Sequence, residues 1–235
     1  MALDQPPAVK KFEELFEFTI FVDYPRQYSI MVGCNGYIDW GDGHTTEYRE
    51  DNYQIWRARH QYNSSGYYKI IIKGLFFIDF YNDTDQDSFL YEVHTKLPKK
   101  CDEYMISGQH IFRDCLRLEK IPSTLFYNLK SRTNFNNCFR NAIFINIPSK
   151  LFDSNINALS FDYCFFNDEF TTFVPQDLFI KNINANSFKY CFFGCRSIVS
   201  PVPELWITHP NANGQGCYYG CINAANYSSI PSSWR

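Results

Sequence analysis

The sequence predicts an α+β protein in which an N-terminal β-sandwich precedes a short solenoid of about five 26–27-residue units. The chain has 235 residues, of which 45% are hydrophobic and 20% are charged, so it can form a sizeable core. Aromatic residues reach 19% of the total, and large rigid rings must therefore fill much of that core. The first half contains short strand-like runs, whereas the second half repeats one pattern at a nearly constant spacing.

Runs of aromatic and β-branched residues indicate a small antiparallel sandwich in the first half. They lie at 18–23, 28–32 and 67–72 and are separated by turn residues. Between the second and third runs, residues 37–43 predict a strand that ends in a tight turn, because glycine allows the left-handed backbone. The turn motif consists of Asp39, Trp40, Gly41, Asp42 and Gly43.

This motif, followed by His-Gln-Tyr at 60–62 and Gly-Tyr-Tyr at 66–68, resembles the PKD-type immunoglobulin-like domains of bacterial surface proteins. The resemblance covers about residues 12–93. It implies a non-catalytic spacer or adhesive module, with Trp40 in or beside the core and the two motif aspartates bonded to turn amides. One alternative stays open, in which the following three residues form a functional site: Asp39, Asp42 and His44.

The second half is a repeat. One aromatic position recurs at spacings of 27, 26, 27 and 26 residues: Phe112, Phe139, Phe165, Phe192 and Tyr218. A cysteine precedes four of these rings: Cys138, Cys164, Cys191 and Cys217. Within a unit, apolar residues at offsets 0, 3, 4 and 7 predict a stripe on a short helix. Each unit is therefore expected to contain one or two helical turns, a short strand and a loop.

The repeated units resemble leucine-rich repeats of the BspA type, which occur in surface proteins of gut and oral bacteria, mycoplasmas and their phages. A PKD-like domain followed by such repeats is a familiar order in these proteins. The predicted organisation is an N-terminal tail at 1–11, a PKD-like sandwich at 12–94, a linker at 95–107 and a leucine-rich-repeat solenoid at 108–235.

Two groups of residues have spacings that suit a metal ion. Four cysteines have zinc-like spacing: Cys191, Cys195, Cys217 and Cys221. Their recurrence in repeat columns favours buried, reduced thiols instead. Three carboxylates alternate in a way that suits calcium: Asp83, Asp85 and Asp87. The loop lacks the glycine and glutamate of an EF-hand, so a connecting loop is favoured and calcium binding stays open. The sequence predicts no metal and no cofactor.

Charge and motif content exclude several classes of function. The 22 basic and 25 acidic residues give a net charge of −3, which provides no electrostatic attraction for a nucleic acid. Neither a signal peptide nor an apolar run long enough for membrane insertion is present in the sequence. No nucleophile-elbow, zinc-protease or phosphate-loop motif occurs either. We therefore expect a protein that is not an enzyme.

The resemblances and the missing export signal together imply a non-enzymatic structural or attachment protein on the surface of a phage virion, assembled in the cytoplasm of the bacterial host. A bacterial cell-surface adhesin is the alternative, and a glycan-active enzyme is a remote one. The expected partners are other virion proteins, tethered through residues 1–16, and a host-surface protein or glycan; the oligomeric state is open. The expected partner face carries Asn146, Thr172 and Ser200.

Overall fold

The computed structural model describes residues 14–48, 54–80, 89–105, 108–131, 133–144 and 146–235. Three features singled out in the sequence lie outside these ranges. They are the N-terminal tail at 1–11, nearly all of the proposed tether at 1–16, and the carboxylates Asp83, Asp85 and Asp87.

The N-terminal half forms two antiparallel sheets. In chain order the strands are β1 (Leu15–Val22), β2 (Arg26–Cys34), β3 (Gly36–Asp39), β4 (Thr45–Tyr48), β5 (Trp56–Tyr62), β6 (Gly66–Lys73), β7 (Leu75–Asp79) and β8 (Leu90–Val93). One sheet has the order β4-β3-β6-β1-β8, and the other has the order β5-β2-β7.

Alternation along the strands places the core between these sheets. On β1, Phe16 and Phe18 point inward and are fully buried, while Glu17 between them is partly exposed. They pair with Ile72 and Ile70 of β6, which are also fully buried. Successive side chains of a strand point to opposite faces, so one face of β1 and β6 supplies core and the other meets solvent.

The sandwich and the repeats share one hydrophobic cluster. Phe80 follows β7 and stacks on Phe112 of the first repeat, with ring centroids 5.3 Å apart. Glu92 of β8 forms a parallel bridge with Lys120, and the Val93 N–H donates to the Lys120 carbonyl at 2.9 Å. The first repeat therefore packs directly on the edge of the sandwich.

The predicted α+β fold with a leucine-rich-repeat solenoid is wrong, because the protein is all-β. The described helices are single short turns: α1 (Lys100–Tyr104), α2 (Leu205–Thr208) and two 3₁₀ turns, Tyr227–Ser229 and Ser232–Trp234. The repeat units consist of turns joined by isolated parallel bridges, such as Asn134 with Ser160 and Ser160 with Ser187. Within the described ranges, no helix has the length and apolar character to cross a membrane.

Left-handed residues explain why the predicted helices do not form. Asn137 and Asn141 have φ of 55° and 57°, and pairs four residues apart recur in the other units. An α-helix of L-residues does not tolerate such positions. Amides of this segment instead cross to the next unit: Phe139 N–H donates to the Cys164 carbonyl at 2.8 Å. The four-residue turn period produces the same apolar offsets as a helix, which misled the prediction.

Candidate functional site

The recurring aromatic position forms a continuous stack inside the repeats. All five rings are fully buried, and successive rings lie nearly parallel, with centroids 5.2 to 5.7 Å apart. These inner rings are Phe112, Phe139, Phe165, Phe192 and Tyr218. The Tyr218 hydroxyl donates to the Pro203 carbonyl at 2.6 Å, which satisfies the buried polar group. This stack gives the repeat half a rigid interior.

The four cysteines that precede the stacked rings are buried free thiols: Cys138, Cys164, Cys191 and Cys217. Burial raises the pKa of each of these thiols well above its ordinary value. Cys195 and Cys221 direct their sulfurs to the carbonyls of Phe165 and Phe192, at 3.1 Å in both cases. Because the thiolate is the nucleophile and the metal ligand, these surroundings disfavour both roles.

A column of buried polar side chains was missed by the sequence analysis. Its members lie 27 residues apart: Asn128, Asn155, Asn182 and His209. Each uses a side-chain nitrogen to bind a carbonyl of the preceding unit; for example, Asn182 Nδ2 donates to the Asn155 carbonyl at 2.8 Å. His209 Nε2 lies 3.1 Å from the Asn182 carbonyl. The signal was the asparagine spacing, which matches the spacing of the rings.

Asp168 is a buried carboxyl at the repeat position that Cys195 and Cys221 occupy in later units. Its Oδ1 accepts from the N–H groups of Phe144, Phe170 and Thr171, at 3.2 to 3.3 Å, and its Oδ2 contacts the Thr171 hydroxyl. Burial raises the pKa of Asp168 to about 7, although these hydrogen bonds act in the opposite direction. The same Thr171 hydroxyl lies 3.2 Å from the Phe144 carbonyl. A protonated Asp168 can therefore donate to Thr171, which in turn donates to Phe144.

A second aromatic stack lies on the surface of the repeats. We call it the outer ladder; it consists of Tyr163, Phe166, Tyr190, Phe193 and Tyr219. Phe193 stacks on Phe166 and on Tyr219, with centroids 4.9 Å apart in both pairs. The first four rings are partly exposed, and Tyr219 is 58% exposed. The outer ladder is therefore a regular aromatic surface that solvent reaches.

The expected partner face is less polar than its sequence suggested. Asn146 and Thr172 are exposed, but Ser200 is only partly exposed, and its hydroxyl accepts the Val174 N–H at 3.1 Å. Phe173, which bridges to Asn146, is 50% exposed. Ser200 thus stabilises the contact between two repeat units, and the ring of Phe173 occupies part of the expected partner face.

The turn motif holds its residues by side-chain hydrogen bonds. Trp40 is fully buried, and its carbonyl accepts the Tyr62 hydroxyl at 2.8 Å. Asp39 Oδ1 accepts the Gly41 N–H at 2.9 Å. Gly41 has φ of 79°, and a Cβ there would lie 2.5 Å from the Lys69 carbonyl oxygen, so glycine is required. Gly43, the last residue of the motif, also has a positive φ.

Beside this motif, Asp42 meets two histidines. His44 Nδ1 lies 3.1 Å from Asp42 Oδ1, and His60 Nε2 lies 2.7 Å from Asp42 Oδ2. Partial burial alone would raise the pKa of Asp42, but hydrogen bonds from His60 and His44 hold it below its ordinary value. Of the three residues in the open alternative, Asp42 and His44 lie together, whereas Asp39 binds the turn amide of Gly41. The third member of the cluster is His60, which lies on β5.

A groove of about 450 Å³ opens where β8 meets the first repeats. Its lining includes Glu92, His94, Glu119, Lys120 and Asn146. Glu119 accepts the Tyr91 hydroxyl at 2.9 Å, and the Tyr91 pKa is raised to about 12, chiefly by that hydrogen bond. These contacts tie the two halves together.

No protein-family model, no curated protein and no solved structure matches this chain. The fold and its surfaces define an all-β protein whose stacked repeats carry aromatic rings both inside and outside. In the sandwich, Asp42 and His44 of the β3–β4 hairpin form a polar cluster with His60 of β5.

Proposed function

We propose that this chain is a non-enzymatic attachment protein on the surface of a phage virion and that it contacts a host-surface protein or glycan through the outer ladder. The observation that carries this proposal is the regular stack of Phe166, Phe193 and Tyr219, in which Tyr219 is exposed and the two phenylalanines are partly exposed. Contiguous exposed apolar surface is characteristic of interaction sites.

The outer ladder is held in place before any partner arrives. Asn167 N–H donates to the Phe193 carbonyl at 2.7 Å, and Gly194 N–H donates to the Tyr219 carbonyl at 2.8 Å. These bonds join successive units directly at the ladder residues. Rigid aromatic side chains on a fixed backbone lose little conformational entropy on binding, which favours affinity.

Cations border the aromatic rings. The Arg140 guanidinium lies 4.7 Å from the centre of the Phe166 ring, and the Lys189 ammonium lies 5.3 Å from the centre of the Tyr190 ring. An apolar centre with a polar rim is the usual composition of a protein interface. Arginine and aromatic residues are also enriched among residues that contribute most to binding.

One observation disfavours cysteine-based catalysis, and a second disfavours a nucleic-acid partner. The repeat cysteines are buried, and their raised pKa values leave them as poorly nucleophilic thiols. The net charge of −3 offers no attraction to a nucleic-acid backbone. Both are consistent with recognition through shape and aromatic contact.

The proposal is tested by locating the protein and assaying the purified chain. Mass spectrometry of purified virions, with immunogold labelling, should find the chain on the particle surface. Its presence only in a bacterial cell-wall fraction would contradict the virion assignment and indicate the adhesin. Robust hydrolysis of a host polysaccharide by the purified chain would contradict the non-enzymatic assignment.

A further inference from the structure

We propose that Asp42, His44 and His60 form a binding site for a divalent transition-metal ion of the zinc class. The three side chains each offer one ligand atom, and these atoms lie within 4.8 Å of one another. Among the described residues, this is the one group of at least three histidine, cysteine or acidic side chains with that proximity.

The donor geometry is close to what such an ion requires. Zinc binds nitrogen and oxygen at about 2.0–2.2 Å, which places tetrahedral ligands about 3.3–3.6 Å apart. His44 Nδ1 lies 3.1 Å from Asp42 Oδ1, close to that separation. His60 Nε2 lies 2.7 Å from the other carboxylate oxygen, Asp42 Oδ2, so these two groups must separate slightly. The three ligand atoms lie within 4.8 Å of one another, so a side-chain adjustment is needed to bring both imidazoles to one ion.

One histidine is fixed and the other is free to adjust. The His60 ring stacks on Trp40, with centroids 5.0 Å apart and planes 8° apart, and meets the Tyr62 ring edge-on at 4.7 Å. The side chain of His60 is 13% exposed, whereas that of His44 is 71% exposed. His60 and Asp42 therefore provide a prearranged pair, and His44 can reorient to complete the site.

The chemistry of the donors selects the class of ion. Two imidazoles and one carboxylate suit zinc, nickel and copper, whereas calcium and magnesium prefer oxygen ligands alone. Three protein ligands leave a coordination position for water, as in catalytic zinc sites. A bound ion would take the place of the contacts that the two imidazoles now make with Asp42.

The site would join the two sheets. Asp42 and His44 lie between β3 and β4, strands of the five-stranded sheet, whereas His60 lies on β5 of the three-stranded sheet. A bound ion would connect the hairpin to the opposite sheet at this end of the sandwich. Because the ion binds the folded chain, it should also raise the thermal midpoint of unfolding.

Isothermal titration of the purified full chain with zinc chloride tests the proposal, with calcium chloride as the comparison ion. We expect one zinc ion per chain, a raised unfolding midpoint, and binding at least about tenfold weaker in His44→Ala. His44 is exposed, so its removal should leave the circular dichroism spectrum unchanged. His94→Ala removes a histidine elsewhere and should keep zinc binding.

Three results would overturn the site. They are the absence of zinc binding at about 1 mM, a dissociation constant in folded His44→Ala equal to that of the parent, and calcium binding as tight as zinc binding. Cobalt provides a second readout, because its visible spectrum reports nitrogen and oxygen ligands directly. A cobalt spectrum unchanged by His44→Ala would likewise contradict the assignment.

Discussion

The rings of Phe166 and Phe193 stack on the outside of the repeats, with centroids 4.9 Å apart and planes 5° apart. One residue earlier in each unit, Phe165 and Phe192 stack inside, at 5.3 Å and 6°. Adjacent positions of the same turn therefore build an interior stack and a surface stack in parallel. The interior stack fixes the spacing at which the surface rings are presented.

This pair of positions gives a matched stability test. Phe165→Ala removes a fully buried ring and should lower the free energy of unfolding by about 3–5 kcal/mol. Phe166→Ala removes a partly exposed ring one residue away and should cost clearly less. Urea unfolding of both variants measures the difference. Equal costs would contradict the assignment of the inner and outer rings.

The thiols should be unreactive in the folded protein. All nine cysteines are free and buried. The thiol reagent DTNB should therefore react with none of them in buffer and with all nine in denaturant. Rapid labelling of Cys138 or Cys191 in the native chain, located by peptide mass spectrometry, would show that the repeat interior is open.

Asp168 should make stability fall as the pH rises. Its folded pKa of about 7 lies above the ordinary value of 3.8, so the folded state binds the proton more tightly. The corresponding stabilisation is complete below about pH 4 and is lost as the pH rises to about 7. Asp168→Asn should remove this dependence, since the amide can still accept from the turn N–H groups and donate to Thr171. The free energy of unfolding should be measured for both proteins between these pH values. The same dependence on pH in the parent and in Asp168→Asn would contradict the assignment.

His209 should act in the opposite direction. Burial lowers its pKa below the ordinary 6.5, so the folded state favours the neutral ring. The stabilisation is present above about pH 6.5 and is lost as the pH falls toward the lowered folded pKa. His209→Asn introduces the asparagine that the other members of the column have. It should reduce the loss of stability at acidic pH. Measured unfolding midpoints at pH 5 and 8 that shift equally in both proteins would argue against this role.

The repeat spacing could be read from the sequence because each ring must meet its counterpart in the next unit. The helices could not be excluded in the same way. Asn141, Asn167 and Gly194 occupy the same position in successive units. Asparagine and glycine both tolerate the left-handed backbone, so their recurrence was the available signal for a turn. Periodicity alone did not distinguish a turn every four residues from an α-helix.

The candidate metal ligands show a second limit. Asp42 and His44 are close in sequence, and the glycines beside them indicated a tight turn. His60 belongs to another sheet, and its approach to Asp42 depends on how the two sheets pack and on the ring of Trp40. Such a contact follows from tertiary structure rather than from any local spacing.

The most direct test of the proposed function is equilibrium binding of the labelled chain to intact cells of a bacterial panel, with the double variant Phe193→Ser and Tyr219→Ser alongside. Ile183→Ser, which changes an apolar side chain 78% exposed elsewhere on the repeats, is the control. We predict saturable binding by the parent and the control to at least one strain, and a loss of about tenfold or more in the double variant at a temperature where all three proteins are folded. Equal binding by the parent and the folded double variant would contradict the account.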